Sequence, residues 1–228
     1  MKQWLSAFAI MLCLAGGLWA QNNQYTKAAD SDPEAKAALD KLRKKYDAYQ
    51  SLEAEFRLEI ALPEQASETQ QGKLAKDGKK YRMELGTYAA ISDGTAVWIV
   101  MHNNKEIQIN DLPDADDPTT LLSPEAMLNF YDRGEYAYFL TTEMMENGRL
   151  IQQIEFKPLD RYSDYSKLRL TLDKKKNEVV RIKVFSKDGS NYTLWLDKLM
   201  PNKTFAANYF TFNKSQYADY YVEDLREN

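Results

Sequence analysis

The stretch from Gly72 to Ile109 alternates between hydrophobic and polar residues in short runs separated by turn residues. Lys80 to Leu85 alternates strictly, and Asp77-Gly78 and Asp93-Gly94 stand between such runs. Asp-Gly between alternating runs is a strong hairpin signal, because a tight hairpin turn needs a positive φ angle. The stretch therefore predicts consecutive β-hairpins whose apolar residues lie on one side.

A helical pattern precedes the hairpins and changes abruptly to the period of a strand. Asp32 and Pro33 are typical of a helix start, as the N-cap and the first-turn residue. Apolar residues then recur at helical spacing and predict a buried contact face, made of Ala35, Ala38, Leu39, Leu42, Tyr46 and Tyr49. From Leu52 to Leu62, apolar residues alternate with mostly charged ones, which predicts a strand with one buried and one solvated face.

The second half of the chain begins with a short apolar helix and returns to strands. Ser123 and Pro124 predict the N-cap and first turn of that helix. A lone short helix is unstable in water, so it must dock on another element. Alternating runs follow, with turns at Asn147-Gly148, at 174–177 and at Asp188-Gly189. The strand pattern extends towards the C-terminus through Phe205, Phe210 and Phe212.

About ten antiparallel strands with one wet face predict a mainly β protein of the α+β class, in one domain. A twisted sheet of this size curls, and a single layer cannot bury its own apolar face. The sequence therefore predicts a curved antiparallel sheet whose concave face is covered by short helices. Its interior is either packed solid or holds a ligand, and the strand pattern alone favours solid packing.

The first twenty residues have the pattern of a secretory signal peptide. Lys2 is the only charge before an apolar run that ends at Trp19, and Ala20 offers a small residue for cleavage. We expect cleavage near Ala20, a disordered N-terminus over residues 21–31, and a single domain over residues 32–228. The expected product is exported and soluble.

The overall charge is mildly acidic, with 30 Lys and Arg against 34 Asp and Glu and a net charge of −4. Nucleic-acid binding calls for a basic patch, so this balance argues against a nucleic-acid partner. The same balance gives no electrostatic reason for the protein to sit on anionic lipid.

Residues that carry chemistry are scarce. His102, the only histidine, lies at a predicted hairpin tip, and the only cysteine, Cys13, lies inside the signal peptide. No Ser-His-Asp set, zinc-ligand spacing or phosphate-binding glycine loop is present. The sequence predicts no catalytic residue, no metal and no cofactor, although a carboxylate-pair enzyme stays open because acidic residues are plentiful.

Several motifs occur in the order of a known family and cover about Asp32 to Arg226. They are Gly72-Lys-Leu, Lys80-Tyr81-Arg82-Met83-Glu84, Ile91-Ser92-Asp93-Gly94 leading to Trp98, Leu121-Leu122-Ser123-Pro124, Phe156-Lys157-Pro158, Phe210-Thr-Phe212 and the closing Tyr221 to Arg226. Together they resemble the LolA family of periplasmic outer-membrane lipoprotein carriers.

This resemblance implies an unclosed β-barrel with a helical lid over an apolar cavity that holds lipoprotein acyl chains. It also implies a periplasmic monomer that takes acylated lipoproteins from an ATP-driven inner-membrane exporter, with an outer-membrane acceptor as a further partner. The family's Arg-Pro turn, whose arginine latches the lid, is replaced here by Asp77-Gly78. A lipid-binding sensor of the same fold stays open, and an acyl-ester hydrolase is a third hypothesis.

Strand parity and the resemblance together assign candidate site residues. The cavity residues are Leu52, Phe56, Leu58, Ile60, Tyr81, Met83, Leu85 and Trp98. The lid residues are Leu121, Leu122, Met127, Leu128 and Phe130. The contact face of the first helix consists of Leu39, Leu42, Tyr46 and Tyr49. Ordinary core packing explains each of these residues equally well.

Overall fold

A computed structural model describes residues 27–112 and 134–226. In this part of the chain, helix α1 spans Pro33–Asp47, and two short 3-10 helices span Ala28–Asp30 and Lys214–Tyr217. The strands are β1 Ser51–Ala61, β2 Glu68–Asp77, β3 Lys80–Leu85, β4 Tyr88–Ser92, β5 Ala96–Met101, β6 Glu106–Asp111, β7 Tyr136–Glu146, β8 Arg149–Pro158, β9 Tyr165–Asp173, β10 Glu178–Ser186, β11 Asn191–Pro201 and β12 Tyr221–Asp224.

The strands form one sheet in the order β12-β6-β5-β4-β3-β2-β1-β11-β10-β9-β8-β7. Neighbouring strands are antiparallel, apart from β12, which runs parallel to β6. Because β12 and β7 are the two edges of the sheet, the sheet is a curved, unclosed half-barrel. The predicted fold class, a mainly β α+β protein built on a curved antiparallel sheet, is confirmed.

Helix α1 begins where its capping residues predict. The Asp32 carboxylate accepts a hydrogen bond of 2.8 Å from the backbone N–H of Glu34, which satisfies one of the free donors at the helix start. Pro33 occupies the first position, where its missing N–H removes no helical bond. The helix ends at Asp47, so the placement of Tyr49 on the helix face is wrong; Tyr49 lies beyond the helix, with its ring centroid 5.5 Å from that of Tyr46.

One face of the sheet, here called the helix-side face, carries α1 over strands β7 to β10. The start of α1 is tied to edge strand β7, because the Asp32 N–H donates to the Tyr138 carbonyl at 2.9 Å and the Tyr138 N–H donates to Ser31 Oγ at 3.2 Å. The buried core beneath the helix comprises Ala35, Leu39, Leu42, Tyr138, Ile154, Phe156, Leu170 and Leu172, with Tyr46 packed against it.

The other face of the sheet, here called the opposite face, is covered in part by the chain that follows β11, residues 202–220, which packs on β4, β5 and β6. This C-terminal segment packs through aromatic rings, and Phe212 stacks on Trp98 with centroids 5.3 Å apart. The predicted extension of the strand pattern through Phe205, Phe210 and Phe212 is wrong. All three lie in irregular backbone, where apolar side chains cover a sheet face without alternating.

A buried carboxylate holds the start of the C-terminal segment. Glu53 on the opposite face of β1 is only 3% exposed and forms ion pairs with Lys73 Nζ at 3.1 Å and Lys203 Nζ at 2.6 Å. Burial alone raises the pKa of a carboxylate, but the hydrogen bonds from Lys203 and Lys73 outweigh it, so the pKa of Glu53 falls below its ordinary value of 4.5.

We expect Glu53→Gln to lower the free energy of unfolding at neutral pH by about 2 kcal/mol, because two hydrogen bonds to a charged group are weakened. A lowered folded-state pKa stabilises the protein above the ordinary pKa, and this stabilisation is lost as the pH falls through the folded value. The difference between wild type and variant should therefore shrink below about pH 4.5 in urea unfolding.

Glu55→Gln is the matched control for this prediction. Glu55 lies on the same face of the same strand, but its side chain is exposed and Lys198 Nζ is 3.9 Å away. We expect no measurable change at any pH, because an exposed ion pair of this length contributes little. Equal losses for the two variants would contradict the role given to Glu53.

Candidate functional site

The strand register places seven of the eight predicted cavity residues on the helix-side face. Residues that pair directly across antiparallel strands share a face, and side chains alternate along each strand. Leu52 pairs with Lys76 of β2, and Lys76 pairs with Tyr81 of β3. The same parity holds along each strand, so one face carries Leu52, Phe56, Leu58, Ile60, Tyr81, Met83 and Leu85.

The eighth residue, Trp98, lies on the opposite face, so the prediction that it shares a face with the other seven is wrong. Tyr81 pairs with Ser92 and Ser92 pairs with Val97, so Val97 rather than Trp98 shares the face of Tyr81. Trp98 packs instead with the C-terminal segment, beside the core formed by Ala89, Val100 and Ile107.

Two packed clusters occupy the helix-side face, one at each side of its centre. The cluster beneath α1 has been described above. The second is built on Tyr81, Ala90 and Val97, with Met83, Ile99 and Leu112 packed against it. Ala90, Val97 and Ile99 were not predicted, because β5 reads Ala-Val-Trp-Ile-Val-Met and offers no alternation from which parity could be assigned.

Between these clusters lies a row of half-buried apolar side chains, here called the apolar band: Leu58, Leu74, Leu85, Leu194 and Leu196. Leu58 pairs with Leu194 across β1 and β11, and Phe56 pairs with Leu196, so the band is continuous across the centre of the sheet. Leu74 was not predicted as a cavity residue. It pairs with Ala54 and with Met83, which places it on the helix-side face. The band consists of flexible aliphatic side chains, which suit a ligand without polar groups.

Phe56 is a large ring in the centre of this face. It lies flat over Gly72, because a Cβ atom at position 72 would be only 2.3 Å from the Phe56 ring. A glycine at that position lets the ring lie against the β2 backbone. Phe56 is consequently buried, and it forms the floor of the apolar band rather than a projecting contact.

One end of the helix-side face is more polar. The register aligns Leu52, Lys76, Tyr81, Ser92, Val97 and Asn110 in one row across six strands. The Asn110 amide nitrogen is buried and has no hydrogen-bond partner among the described residues. This row could receive the polar part of an amphiphile whose apolar part lies on the apolar band.

A cavity of about 510 Å³ lies against β1, β2 and β3, and its charged lining is unsuited to an apolar ligand. Its charged lining comes from the opposite face: Glu55, Arg57, Lys73, Glu84 and Asp197. Arg57 Nε and Asp197 Oδ2 are 2.8 Å apart, so these two charges of the cavity are paired with each other.

The only histidine of the chain lies apart from the apolar band. His102 lies in the β5–β6 turn, where its Nδ1 is 2.9 Å from the Tyr220 hydroxyl, away from the helix-side face. Within residues 27–112 and 134–226, no group of three His, Cys, Asp or Glu side chains could hold a metal ion. No helix in that part of the chain has the length and apolar character to cross a membrane.

The predicted lid residues Leu121, Leu122, Met127, Leu128 and Phe130 lie outside the described residues.

Comparison with known families identifies the family of this chain. The model of a family described as outer membrane lipoprotein carrier protein LolA matches residues 47–213, well over half of the chain. The chain belongs to the LolA family. The match contains the apolar band and the Tyr81 cluster, and it begins at the last residue of α1. The resemblance seen in the sequence motifs is thereby confirmed.

Several solved structures are similar to this chain at low sequence identity. An uncharacterised conserved protein from Thermus thermophilus is similar at a TM-score of 0.55 and 10% identity, over 85% of this chain and 99% of that one. A LolA superfamily protein from Nitrosomonas europaea has a TM-score of 0.41 and 14% identity, over 78% and 97%. A putative outer membrane lipoprotein-sorting protein domain from Vibrio parahaemolyticus has a TM-score of 0.40 and 12% identity, over 80% of this chain and 99% of that one. No curated protein matches the sequence.

Proposed function

We propose that this LolA-family protein is a periplasmic carrier that binds the acyl chains of lipoproteins and shuttles them from the inner to the outer membrane. The observation that carries the proposal is the apolar band, a continuous row of half-buried aliphatic side chains between two packed clusters on the helix-side face. Acyl chains would lie along this band, and the polar lipoprotein N-terminus would lie at the row of Lys76, Ser92 and Asn110.

The physical need for a carrier follows from the hydrophobic effect. Three acyl chains of ordinary length contain about 45 methylenes, and moving them into water costs on the order of 35 kcal/mol at about 0.8 kcal/mol each. Free diffusion between two membranes is therefore excluded. A bilayer already surrounds the acyl chains with hydrocarbon, so their transfer to the protein releases little free energy. Loading therefore needs an external energy source such as an ATP-driven exporter.

The proposal extends to the parts of the chain for which the sequence made predictions. Residues 1–20 act as a signal peptide, and residues 32–228 form a single carrier domain. Residues Ala28–Asp30, which lie in the predicted disordered N-terminus 21–31, form a 3-10 helix instead. The protein is a monomer without cofactor or catalytic activity. It receives acylated lipoproteins from the inner-membrane exporter and passes them to an outer-membrane acceptor.

The test is ATP-dependent release of newly made lipoprotein from inner-membrane vesicles into a soluble complex with this protein. We expect Leu58→Glu to reduce release about tenfold to a hundredfold. Burying a leucine side chain contributes about 1.5–3 kcal/mol of binding free energy. Placing a carboxylate against an acyl chain not only removes this contribution but adds an unfavourable desolvation of the charge. Circular dichroism shows whether the variant remains folded.

Gln71→Glu is the matched control, because it adds the same charge to an exposed position on the opposite face of the neighbouring strand. It should release lipoprotein as the wild type does. No release by the wild type with an active exporter would overturn the carrier. Tight binding without later delivery to outer membranes would indicate a lipid-binding sensor instead.

A further inference from the structure

Two turns and the end of α1 meet at one end of the sheet. The β9–β10 turn adjoins the β7–β8 hairpin, because the Lys174 N–H donates to the Leu150 carbonyl at 2.8 Å. Helix α1 reaches the same place, since Lys45 Nζ donates to the Lys176 carbonyl at 2.8 Å. The fold thus gathers residues that lie about 130 positions apart in the sequence.

This end of the sheet carries more cations than carboxylates, although the whole chain is acidic. We call it the lysine end: Lys41, Lys44, Lys45, Arg149, Lys174, Lys175 and Lys176. Its carboxylates are Glu34, Asp47, Glu143, Glu146, Glu178 and the buried Asp173. Four of them are already paired, Asp47 with Arg43, Glu143 with Lys174, Glu146 with Arg181 and Glu178 with Lys45. Among the described residues, no ion pair engages Lys41, Lys44, Arg149, Lys175 or Lys176.

Two exposed methionines stand among these cations. Met144 and Met145, next to the β7–β8 turn, are 46% and 60% exposed, the largest exposed apolar side chains of this end. A groove of about 260 Å³ at the same end has Ala37, Ala38 and Leu172 at its apolar part, and Lys41, Lys174 and Glu34 also line it. Exposed apolar side chains at the same end as unpaired lysines match a surface that is anionic outside and hydrocarbon beneath.

The net charge of −4 does not cancel this attraction. Charges farther away than the Debye length, about 8 Å at physiological salt, are largely screened, so an approaching surface senses the nearest cluster. Clusters of four to eight lysines and arginines bind anionic lipid with about 1 kcal/mol per cation near the surface. The expectation from composition alone, that nothing draws the protein to anionic lipid, overlooked how the fold concentrates charge.

We propose that the lysine end docks the protein on the surface of bilayers that contain anionic phospholipid. Lys41, Lys44, Lys175 and Lys176 contact the phosphate groups, and Met144 and Met145 enter the layer beneath them. The proposed carrier function does not require this contact, because the acyl-binding apolar band lies on other strands, β1, β2, β3 and β11.

The experiment is flotation of the mature protein with vesicles of phosphatidylethanolamine and phosphatidylglycerol, compared with vesicles of phosphatidylcholine alone. We expect binding only to the anionic vesicles and progressive loss as salt is raised. Lys175→Gln with Lys176→Gln should weaken binding about thirtyfold, from two lysines at the contribution given above. Met145→Ser should weaken the binding that persists at high salt.

Lys157→Gln with Lys214→Gln is the matched control, because it removes two exposed lysines outside the lysine end and changes the net charge equally. It should bind as the wild type does, and so should Leu58→Glu, which disables only the carrier function. Absent binding to the anionic vesicles, equal binding to neutral ones, or equal effects of the two double variants would each overturn the proposal. Preferential binding to polyglutamate would point to an acidic protein and overturn it too.

Discussion

Phe156→Ala should lower the free energy of unfolding by about 3–5 kcal/mol, the largest loss we expect from a single substitution. Phe156 is fully buried between α1 and the sheet, with its ring centroid 5.7 Å from that of Tyr138. Removing the ring leaves a cavity that rigid neighbours on the helix and on three strands can fill only partly. Urea unfolding followed by circular dichroism measures the loss.

Phe185→Ala is the control, because Phe185 is half-buried on the opposite face, where its ring contacts the cationic groups of Lys167, Arg169 and Lys183. These flexible side chains can close over the vacated space, and we expect a loss of about 1 kcal/mol. If the two alanine variants lost equal stability, the cluster beneath α1 would not be the main core. Preserved stability in Phe156→Ala would lead to the same conclusion.

Trp98→Ala should lower the free energy of unfolding by about 3 kcal/mol and loosen the C-terminal segment. Trp98, Phe212 and Tyr217 form a three-ring stack with centroid distances of 5.3 and 5.4 Å and interplanar angles of 4° and 6°. The stack ties the chain after β11 to the opposite face. We expect limited proteolysis to cut the variant within residues 205–220 while the wild type resists.

The same variant separates the two faces of the sheet functionally. Because Trp98 lies on the opposite face, Trp98→Ala should leave ATP-dependent lipoprotein release close to the wild-type level. Met83→Ala, on the helix-side face, should reduce release without exposing the C-terminal segment to protease. Loss of release in Trp98→Ala with an intact C-terminal segment would return Trp98 to the lipid site and contradict the register.

Local sequence signals predicted most of the fold because the governing interactions are local. The Asp32 cap and Pro33 start α1 as predicted. Asn147 and Gly148 take φ angles of 49° and 75°, which a two-residue hairpin turn requires. The alternation from Leu52 to Leu62 assigned the correct face of β1, because one side of that strand is charged along its length.

The alternation of apolar and polar residues could not predict the faces of a strand that is covered on both sides. Strand β5 has the Tyr81 cluster on one face and the C-terminal segment on the other, so both faces select apolar residues and the period of two disappears. The covering segment comes from residues more than 100 positions away, and no local signal announces it. The lysine end escaped prediction for the same reason, since its two groups of lysines become neighbours only in the folded chain.

The pairing of β1 with β11 has a consequence for how fast this protein can fold. Leu52 pairs with Pro201, across roughly 150 residues of chain, whereas β2 to β6 and β7 to β10 are linked by short hairpins. The two hairpin blocks can form early, but joining them must overcome the entropy of closing a very long loop. The sheet therefore has a high contact order at its centre, and the apolar band, which spans this junction, is completed among the last parts of the native structure.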